Sequence, residues 1–481
     1  MSSMGKRIAG NASLLATTEA FSRTMPILLM IAVARVLGPE QMGVYAFGMA
    51  VNRIFRMTLD FGGSRFIQRE IGKKPELSGS LMAQLLYLKI LIFGFVIMAA
   101  WIMTSFMSES PQKRTVIWLL TLAAFFQANA GSAYGFFRAH LEAKFEALSR
   151  GLYRLLYLFG GLAVVGAGYN VAVLVFVGLV AQVLGCLMAW YWFIRRYANP
   201  FRRVALADLV FLVRKAWPFV LTQWLVEFSR SVDMLILSML ATDSVVGYYG
   251  VAKRLPAAFS FIPNAISSAM LPTLSRLWNK DKKAFGEVFS QYVKYHAVLG
   301  TVFAAGLGAF AEDIIRLLFG NEFLQAAVAL RILGFVSFVR FVNIPCGMSL
   351  LSRDREKWNL WVQAIVVAAI ALLNLALIPF YQENGSAMAL LIAEPLRLGL
   401  FLVAMGHEGR GFARLERTAV YPALVILFTV GIGLIGIWAN WSLPLRLAAA
   451  TGVFAASIVV TGAMNPSDWQ MLQRLVLPRR S

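Results

Sequence analysis

Lysine and arginine side chains recur inside stretches of this chain that are otherwise apolar enough to span a membrane. A cation at the bilayer centre costs about 2.5–3.5 kcal/mol on insertion scales, so the whole set cannot face lipid. The planar guanidinium of arginine donates two parallel hydrogen bonds to phosphate oxygens, and lysine adds a compact positive charge. A wet cavity lined by such groups would suit a phosphate or a pyrophosphate. The ten cations are Arg23, Arg53, Arg56, Lys89, Arg230, Lys253, Arg254, Arg331, Arg340 and Arg397.

Six of these cations are predicted to hold a pyrophosphate group, and four nearby acids are predicted to balance their charge or to take part in ion coupling. Arg23, Arg53 and Arg230 lie near the centres of their spans, and Arg254 lies nearer an end. The predicted pyrophosphate-binding residues are Arg23, Arg53, Arg230, Lys253, Arg254 and Arg340. The predicted charge-balancing or ion-coupling acids are Glu19, Asp60, Glu227 and Asp233.

A purely structural interpretation pairs these charges along single helices, because residues three or four positions apart share a helix face. Lys89 and Arg331 would then extend from helix ends towards the membrane surface. Five acids stand against ten cations, so an excess of about five positive charges is left unexplained by this interpretation. The candidate pairs are Glu19 with Arg23, Arg56 with Asp60, Arg230 with Glu227 or Asp233, and Glu394 with Arg397.

The composition is that of a polytopic all-α membrane protein. Apolar residues make up 59% of the chain and charged residues 14%, whereas soluble domains are usually about 45–50% apolar. The net charge of +21 is spread over short loops and forms no basic domain, which excludes a nucleic-acid partner. The three histidines have no Cys or carboxylate at ligand spacing, so neither a metal site nor a cofactor is expected. Cys186 and Cys346 fall within predicted spans, which argues against a disulfide.

Hydropathy and Gly/Pro punctuation predict fourteen membrane-spanning helices. The first is interpreted as a retained span and not as a cleaved signal peptide. Apart from short segments such as Ala241–Val245, no external region could hold a soluble active site. The predicted spans are 11–37, 43–64, 81–105, 115–137, 152–169, 171–194, 212–240, 245–272, 295–311, 324–351, 359–380, 385–405, 419–439 and 443–464.

The distribution of positive charge predicts the orientation of these spans. With the N-terminus on the cytoplasmic side, 30 of the 45 Lys and Arg residues fall in inside segments and only 5 in outside segments. Cytoplasmic loops of membrane proteins carry an excess of Lys and Arg. If one span were missed or wrongly added, cation-rich and cation-poor loops would no longer alternate along the chain. Both termini are therefore predicted to be cytoplasmic. The five outside cations are Arg35, Lys113, Arg114, Arg316 and Arg446.

An internal repeat accompanies the charges. Glu19-Ala-Phe-Ser-Arg23 is followed by a turn and then by Gly43-Val-Tyr45, while Glu227-Phe-Ser-Arg230 is followed by a turn and then by Gly247-Tyr-Tyr249. Two matches in register predict a duplicated six-helix unit, and such halves hold a substrate at their interface near the midplane. The predicted organisation is a six-helix lobe at 1–194, a cytoplasmic connector at 195–208, a second lobe at 209–405, and two further helices with a tail at 406–481.

With these features the chain resembles the Wzx-type polysaccharide and O-antigen flippases, the polysaccharide-transport branch of the multidrug/oligosaccharidyl-lipid/polysaccharide exporter superfamily. The resemblance implies a V-shaped pair of lobes that moves polyprenyl-pyrophosphate-linked glycans by alternating access. Related lipid II flippases carry arginines on spans 1, 2 and 8, which correspond here to the spans of Arg23, Arg53 and Arg254. The motifs that carry the resemblance are Arg35-Val-Leu-Gly-Pro-Glu-Gln-Met-Gly-Val-Tyr45, Asp60-Phe-Gly62, Gly247-Tyr-Tyr-Gly-Val-Ala-Lys-Arg254 and Ser352-Arg-Asp-Arg355.

The expected function is transfer of an undecaprenyl-pyrophosphate-linked oligosaccharide across the bacterial inner membrane for surface polysaccharide synthesis. The expected partners are this glycolipid, membrane lipids, a coupling H⁺ or Na⁺, and a polysaccharide polymerase with its chain-length regulator. A lipid II flippase shares the cationic cavity and stays open as an alternative. A multidrug antiporter of the same superfamily is disfavoured because its cationic substrates need net acidity. A membrane glycosyltransferase or polymerase would need external catalytic loops, and the kinked duplicated helices disfavour a channel.

Overall fold

In the computed structural model, all the described regular elements are helices. The described residues are 3–61, 67, 70–71, 78–106, 110–197, 199–201, 203–410, 421–439 and 441–460; the side chains of 3–24, 215–216, 218–219, 222, 407–410, 421–423 and 458–460 are outside this description. The α-helices are α1 Ser3–Asp60, α2 Ser78–Ser105, α3 Pro111–Ala139, α4 Ala143–Gly166, α5 Val171–Arg196, α6 Leu206–Ser229, α7 Val232–Leu240, α8 Asp243–Ala258, α9 Phe261–Lys280, α10 Lys282–Ala309, α11 Ala311–Phe319, α12 Ala326–Ser352, α13 Glu356–Arg410, α14 Tyr421–Trp438 and α15 Leu443–Val460. A short 3₁₀ helix, Asn321–Phe323, precedes α12.

Over the described residues, each of the fourteen predicted spans overlaps one helix, half of a divided helix, or two successive helices; residues 62–64, 419–420 and 461–464 of the predicted spans lie outside the described residues. Helix α1 is divided at Gly38, whose φ of 76° lies in the left-handed region that glycine tolerates without strain. Helix α13 is divided at Gln382 and again at Gly406. In the described residues, seven helices are long and apolar enough to cross a membrane, or eight if α10 and α11, bent by 72°, form one span. The number of crossings stays a prediction.

Two predicted spans near the middle of the chain are each broken into two helices. Predicted span 7 is divided between α6 and α7, where the N–H of Ser231 donates to the carbonyl of Phe228 at 2.9 Å and so tightens the last turn of α6. Predicted span 8 is divided between α8 and α9. Pro256 and Pro263 lie on either side of that break, and each lacks the N–H that a continuous helix requires.

Residues 1–250 form one compact unit. Within it α1 packs on α3 and α4, and α5 packs on α3 and α4. Phe136, Phe137 and Phe193 are fully buried between α3 and α5, where close packing of large side chains contributes most. Asn52 on α1 is buried and donates to the carbonyl of Leu120 at 2.9 Å, which fixes the rotation of α1 against α3. This packing positions the second half of α1, which carries Arg53.

Residues 251–481 form a second compact unit. Here α10 packs on α12 and α14, α12 packs on α13, and α14 packs on α15. Gly300 lies against the backbone of Phe338, where an added Cβ would come within 3.1 Å of its Cα. Such close approach between helices is typical of membrane bundles, which use small residues at their contacts. The packing fixes α12, which carries Arg331 and Arg340.

Large apolar side chains are exposed along the outer helices. Phe95, Trp101, Phe159 and Phe380 are among those exposed by more than 60%. A soluble protein rarely exposes apolar area on this scale, and contact with lipid explains it. The chain is therefore a multi-pass membrane protein.

Candidate functional site

Of the predicted pyrophosphate ligands, Arg53 and Arg230 belong to the first unit. Arg53 is half-buried on α1, next to the fixed Asn52. Arg230 caps α6 at its break, and its side chain is 60% exposed although its Nη1 donates to the carboxylate of Glu227 at 3.3 Å. The pairing of Glu227 with Arg230, expected from their spacing, is confirmed. The side chains of Glu19 and Arg23 lie outside the described residues.

Lys253 and Arg254 lie on α8, just before the Pro256 that precedes the break in predicted span 8. Both side chains are half-buried. Arg254 forms no ion pair or hydrogen bond with any residue in the described part of the chain. A guanidinium carries five donors, and a cation inside an apolar segment needs partners for them.

Arg340 takes part in a compact charged cluster in the second unit. Its Nε donates to Glu394 at 2.7 Å, and Arg397 lies 3.5 Å from the other carboxylate oxygen. Asn343 donates to that second oxygen at 3.0 Å. Glu394 is 1% exposed, and a buried carboxylate needs such partners. The expected pair of Glu394 with Arg397 is confirmed, but one edge of Arg340 is already occupied by an acid.

Asp60 pairs with Lys89 and not with Arg56, the partner that the sequence spacing suggested. Its Oδ1 lies 3.8 Å from the Nζ of Lys89, whereas Arg56 is exposed on the same helix and forms no pair with it. Lys89 is fully buried and donates to the carbonyl of Ala128 and to Oγ of Ser132. The expectations that Arg56 pairs with Asp60 and that Lys89 extends to the membrane surface are therefore wrong. A cation in mid-span finds acceptors inside the bundle when a neighbouring helix offers them.

Asp233 lies in the first turn of α7 and is fully buried. Its Oδ2 accepts a hydrogen bond from the hydroxyl of Tyr249 at 2.6 Å, and its Oδ1 accepts from the backbone N–H of Met234 at 2.8 Å. A carboxylate at a helix N-terminus is favoured by the helix dipole. The neighbouring Oγ of Ser231 is buried without a hydrogen-bond partner among the described residues.

Three further ion pairs join segments that are distant in sequence. Arg331 donates to Glu312 at 2.6 Å, so this arginine pairs with an acid on α11 and does not extend to the membrane surface as expected. No periodicity rule connects residues this far apart, so sequence spacing could not reveal such pairs. The other two join Lys113 to Asp243 and Arg446, through both terminal nitrogens, to Asp313.

A polar cluster lies at the C-terminal ends of α3 and α5, on the predicted cytoplasmic side. His140 lies 3.2 Å from Oγ of Ser78 and stacks on Tyr197 with 4.4 Å between ring centroids, and the Tyr197 hydroxyl donates to Glu142. Burial holds the pKa of His140 below its ordinary value, although Glu142 opposes this shift. Burial and the hydrogen bond to Glu142 raise the pKa of Tyr197.

The intramembrane cations therefore divide into two groups. Lys89, Arg331 and Arg397 are held by acids or carbonyl groups of their own unit. Arg53, Arg230 and Arg254 are half-buried or exposed on the helices of the internal repeat. Arg340 shares features of both groups: Glu394 binds its Nε, and its side chain is 40% exposed. Donors that are partly exposed in an otherwise apolar bundle can bind an anionic group.

Comparison with known proteins identifies the family. The family model described as "Polysaccharide biosynthesis protein" matches residues 8–278, and the MatE model matches residues 218–380. A probable low-salt glycan biosynthesis flippase of Haloferax volcanii is 22% identical over 74% of each chain. A putative O-antigen transporter of Escherichia coli K12 is 21% identical, over 82% of this chain and 95% of its own.

The fold is similar to that of a lipid II flippase MurJ described as inward closed. The TM-score is 0.73 at 12% identity, with 96% of this chain and 99% of the other covered. Relatives of this kind are transporters and not catalytic enzymes, which agrees with the expectation from the sequence. Since the family model covers more than half of the chain, the resemblance is confirmed: this protein belongs to the polysaccharide biosynthesis protein family, among the Wzx-type flippases of the superfamily that also contains the MatE transporters.

Proposed function

We propose that this protein transfers a polyprenyl-pyrophosphate-linked oligosaccharide from the cytoplasmic to the outer leaflet of the bacterial inner membrane. The carrier lipid is undecaprenyl, and transfer proceeds by alternating access. The observation that carries this proposal is Arg254, a half-buried guanidinium in a predicted span with no ion pair among the described residues. A cation at such a site is costly unless an anionic group pairs with it. The names of the flippase and O-antigen transporter relatives point to the same class of substrate.

Arg23, Arg53, Arg230 and Lys253 complete the proposed pyrophosphate site. All lie on the helices of the internal repeat, where the predicted interface of the two lobes would place a midplane substrate. A pyrophosphate carries several oxygen acceptors, so several arginine forks can bind it at once. Arg340 is 40% exposed, and its proposed contribution is the smallest of the set because its Nε is already bound to Glu394.

Ion coupling is the second part of the proposal. Asp233 is the acid best placed for it, since it is buried at a helix break and is held by the Tyr249 hydroxyl. Glu227 and Asp60 are engaged by Arg230 and Lys89, and they would balance charge. Carboxylates inside membrane-spanning segments commonly mark the paths of ions and protons. A polysaccharide polymerase and its chain-length regulator are the proposed consumers of the product.

The test is export of surface glycan in a strain that lacks its own flippase. We expect Arg254→Ala to lower export at least about tenfold, the loss that corresponds to about 1.4 kcal/mol of binding, and Arg254→Lys to restore part of it. Arg316→Ala is the matched control, because Arg316 is exposed on α11 outside the proposed site. Normal export by Arg254→Ala, at equal protein in the membrane, would refute the pyrophosphate site.

A lipid II flippase is the second candidate, favoured by the similarity of fold over 96% of the chain. The same cations would bind its pyrophosphate, so the residues cannot separate the two functions. Rescue of a strain depleted of its lipid II flippase separates them. Rescue there without rescue of surface glycan would establish the lipid II function instead.

A further inference from the structure

The break in α1 and the beginning of α8 meet with almost no space between their backbones. A Cβ added at Gly43 would lie 1.8 Å from the carbonyl oxygen of Asp243, and one added at Gly247 would lie 2.1 Å from the carbonyl oxygen of Pro39. Real Cβ atoms do not approach an oxygen so closely, so only glycine fits at either position. Both residues belong to the first unit. The two backbones therefore touch with no side chain between them at these glycines.

The contact is reciprocal in a way that follows the internal repeat. Each glycine lies four residues after the residue whose carbonyl meets the other glycine, as Gly43 follows Pro39 and Gly247 follows Asp243. Gly43 and Gly247 also begin the two matching Gly-x-Tyr motifs of the repeat. Equivalent segments of the two copies thus contact each other through equivalent atoms. Pseudo-twofold contacts of this kind lie on the axis that relates parallel repeats.

A buried ion pair and an amide network surround this contact. Asp243 pairs with Lys113 of α3, whose side chain is 11% exposed, and Lys113 also lies 5.9 Å from the centroid of the Phe47 ring. Gln41 exchanges side-chain hydrogen bonds with Gln112 and accepts one from the backbone N–H of Val171 at 3.2 Å. The ion pair therefore ties the start of α8 to α3, and Gln41 ties α1 to α3 and α5. Such a pair contributes little net stability when buried, because both charges regain hydration on separation.

From these contacts we propose that Gly43, Gly247 and the Lys113–Asp243 pair form a gate at the predicted outer end, and that the structure shows this gate closed. The inference rests on the proposed function, because alternating access requires an outer contact that closes and reopens. Glycine allows tight closure, and the ion pair allows release because both charges regain hydration when they separate. Lys113 and Asp243 thus control access to the substrate path without binding the substrate.

The first test measures whether the gate closes. Met42 is 2% exposed beside the contact, so Met42→Cys introduces a thiol at a buried position, and the native Cys186 and Cys346 are both buried. A membrane-impermeant maleimide is added to intact cells or right-side-out vesicles without substrate. We expect Gly247→Ala to raise the labelling rate of this thiol by about tenfold or more, by shifting the population towards the open gate. Gly94→Ala, with no atom within 4 Å of the added Cβ, is the matched control and is expected to label at the unchanged rate.

Charge exchange provides a second variant that does not introduce a backbone clash. Lys113→Asp places two acids opposite each other and should raise labelling at Met42→Cys. The exchange of both residues, Lys113→Asp with Asp243→Lys, restores an ion pair and should return labelling to the low rate. If Gly247→Ala and Lys113→Asp both label as slowly as the unaltered gate, the proposal is wrong. Failure of the exchange to restore slow labelling would also contradict it.

The third test asks whether opening is needed for transport. In Lys113→Cys with Asp243→Cys, a short bis-thiosulfonate should cross-link the two thiols and stop glycan export, and reductant should restore it. Thr115→Cys with Asp243→Cys is the control, since Thr115 is exposed on another face of α3. Full export by the cross-linked protein would refute a gate. Labelling is measured without substrate, so a chain that exports no glycan but labels as expected would refute the proposed function and leave the gate intact.

Discussion

Lys89 illustrates how a single cation is accommodated in this bundle. Its ammonium group is fully buried, with the Ala128 carbonyl, Ser132 Oγ and Asp60 as partners. Ammonium carries three donors, and these three partners match them in number. Breaking a buried pair on one side leaves an uncompensated charge, which costs more than replacing both partners together.

We therefore predict that Lys89→Met destabilises the protein by about 3–5 kcal/mol, because Asp60 loses its partner. The double variant Lys89→Met with Asp60→Asn should lose clearly less than Lys89→Met alone. Chemical denaturation in detergent, followed by tryptophan fluorescence, measures both. Lys357→Met is the control, since Lys357 is exposed. A double variant that is no more stable than Lys89→Met would show that Asp60 is not the relevant partner.

Sequence spacing predicts charged pairs only along one helix. Glu227 with Arg230 and Glu394 with Arg397 are predicted in this way and are present. The partner of Lys89 and the second partner of Glu394 are not predicted, because Asp60 and Arg340 reach them from other helices. Such contacts depend on how helices are rotated against each other, and hydropathy contains little of that information.

At the scale of elements, the breaks in the helices determine where polar groups are placed. Arg254 lies before the α8–α9 break, and Asp233 follows the α6–α7 break. Pro256 and Pro263 indicate the first break in the sequence. No proline lies between Arg230 and Asp233, so the sequence does not predict the second break. The apolar residues continue without interruption over 212–240, so hydropathy gives no sign of the break between α6 and α7.

The cluster at the ends of α3 and α5 should make stability depend on pH. The pKa of His140 is lowered by burial, so the fold favours the neutral imidazole. Its contribution is fully present above the ordinary histidine value of about 6.5 and is lost as pH falls below that value towards the folded pKa. We expect the thermal midpoint to fall between pH 7 and pH 5, and to fall less in His140→Gln. An equal decrease in both proteins would assign the pH dependence to other groups.

At the scale of the whole chain, hydropathy predicts where the described helices lie, whereas the orientation inferred from charge stays a prediction. Each of the fourteen predicted spans coincides with a described helix, part of one, or two successive helices. The sequence does not predict the internal division of those spans. The organisation into lobes at 1–194 and 209–405 stays a prediction. Residues 209–250 belong to the first compact unit of the fold, together with the helices of the predicted N-terminal lobe.

The predicted orientation of the chain can be tested with single cysteines on the two sides of the membrane. Asn321 and Lys280 are both exposed, on segments predicted to lie outside and inside respectively. We expect Asn321→Cys to react with an impermeant maleimide in intact cells, and Lys280→Cys to react only after permeabilisation. The buried native cysteines keep the background low. The opposite pattern would reverse the topology and move the proposed gate to the cytoplasmic side.

The buried Lys89 also has a consequence for biosynthesis. Its two hydrogen-bond acceptors lie 39 and 43 residues further along the chain, on α3. At about 5–20 residues per second, the ribosome needs about 2–9 s to produce them after Lys89 itself. If α2 left the translocon during that interval, it would carry the Lys89 ammonium into lipid before these acceptors exist, which is unfavourable. We therefore expect α2 and α3 to partition into the bilayer together, as a helical hairpin.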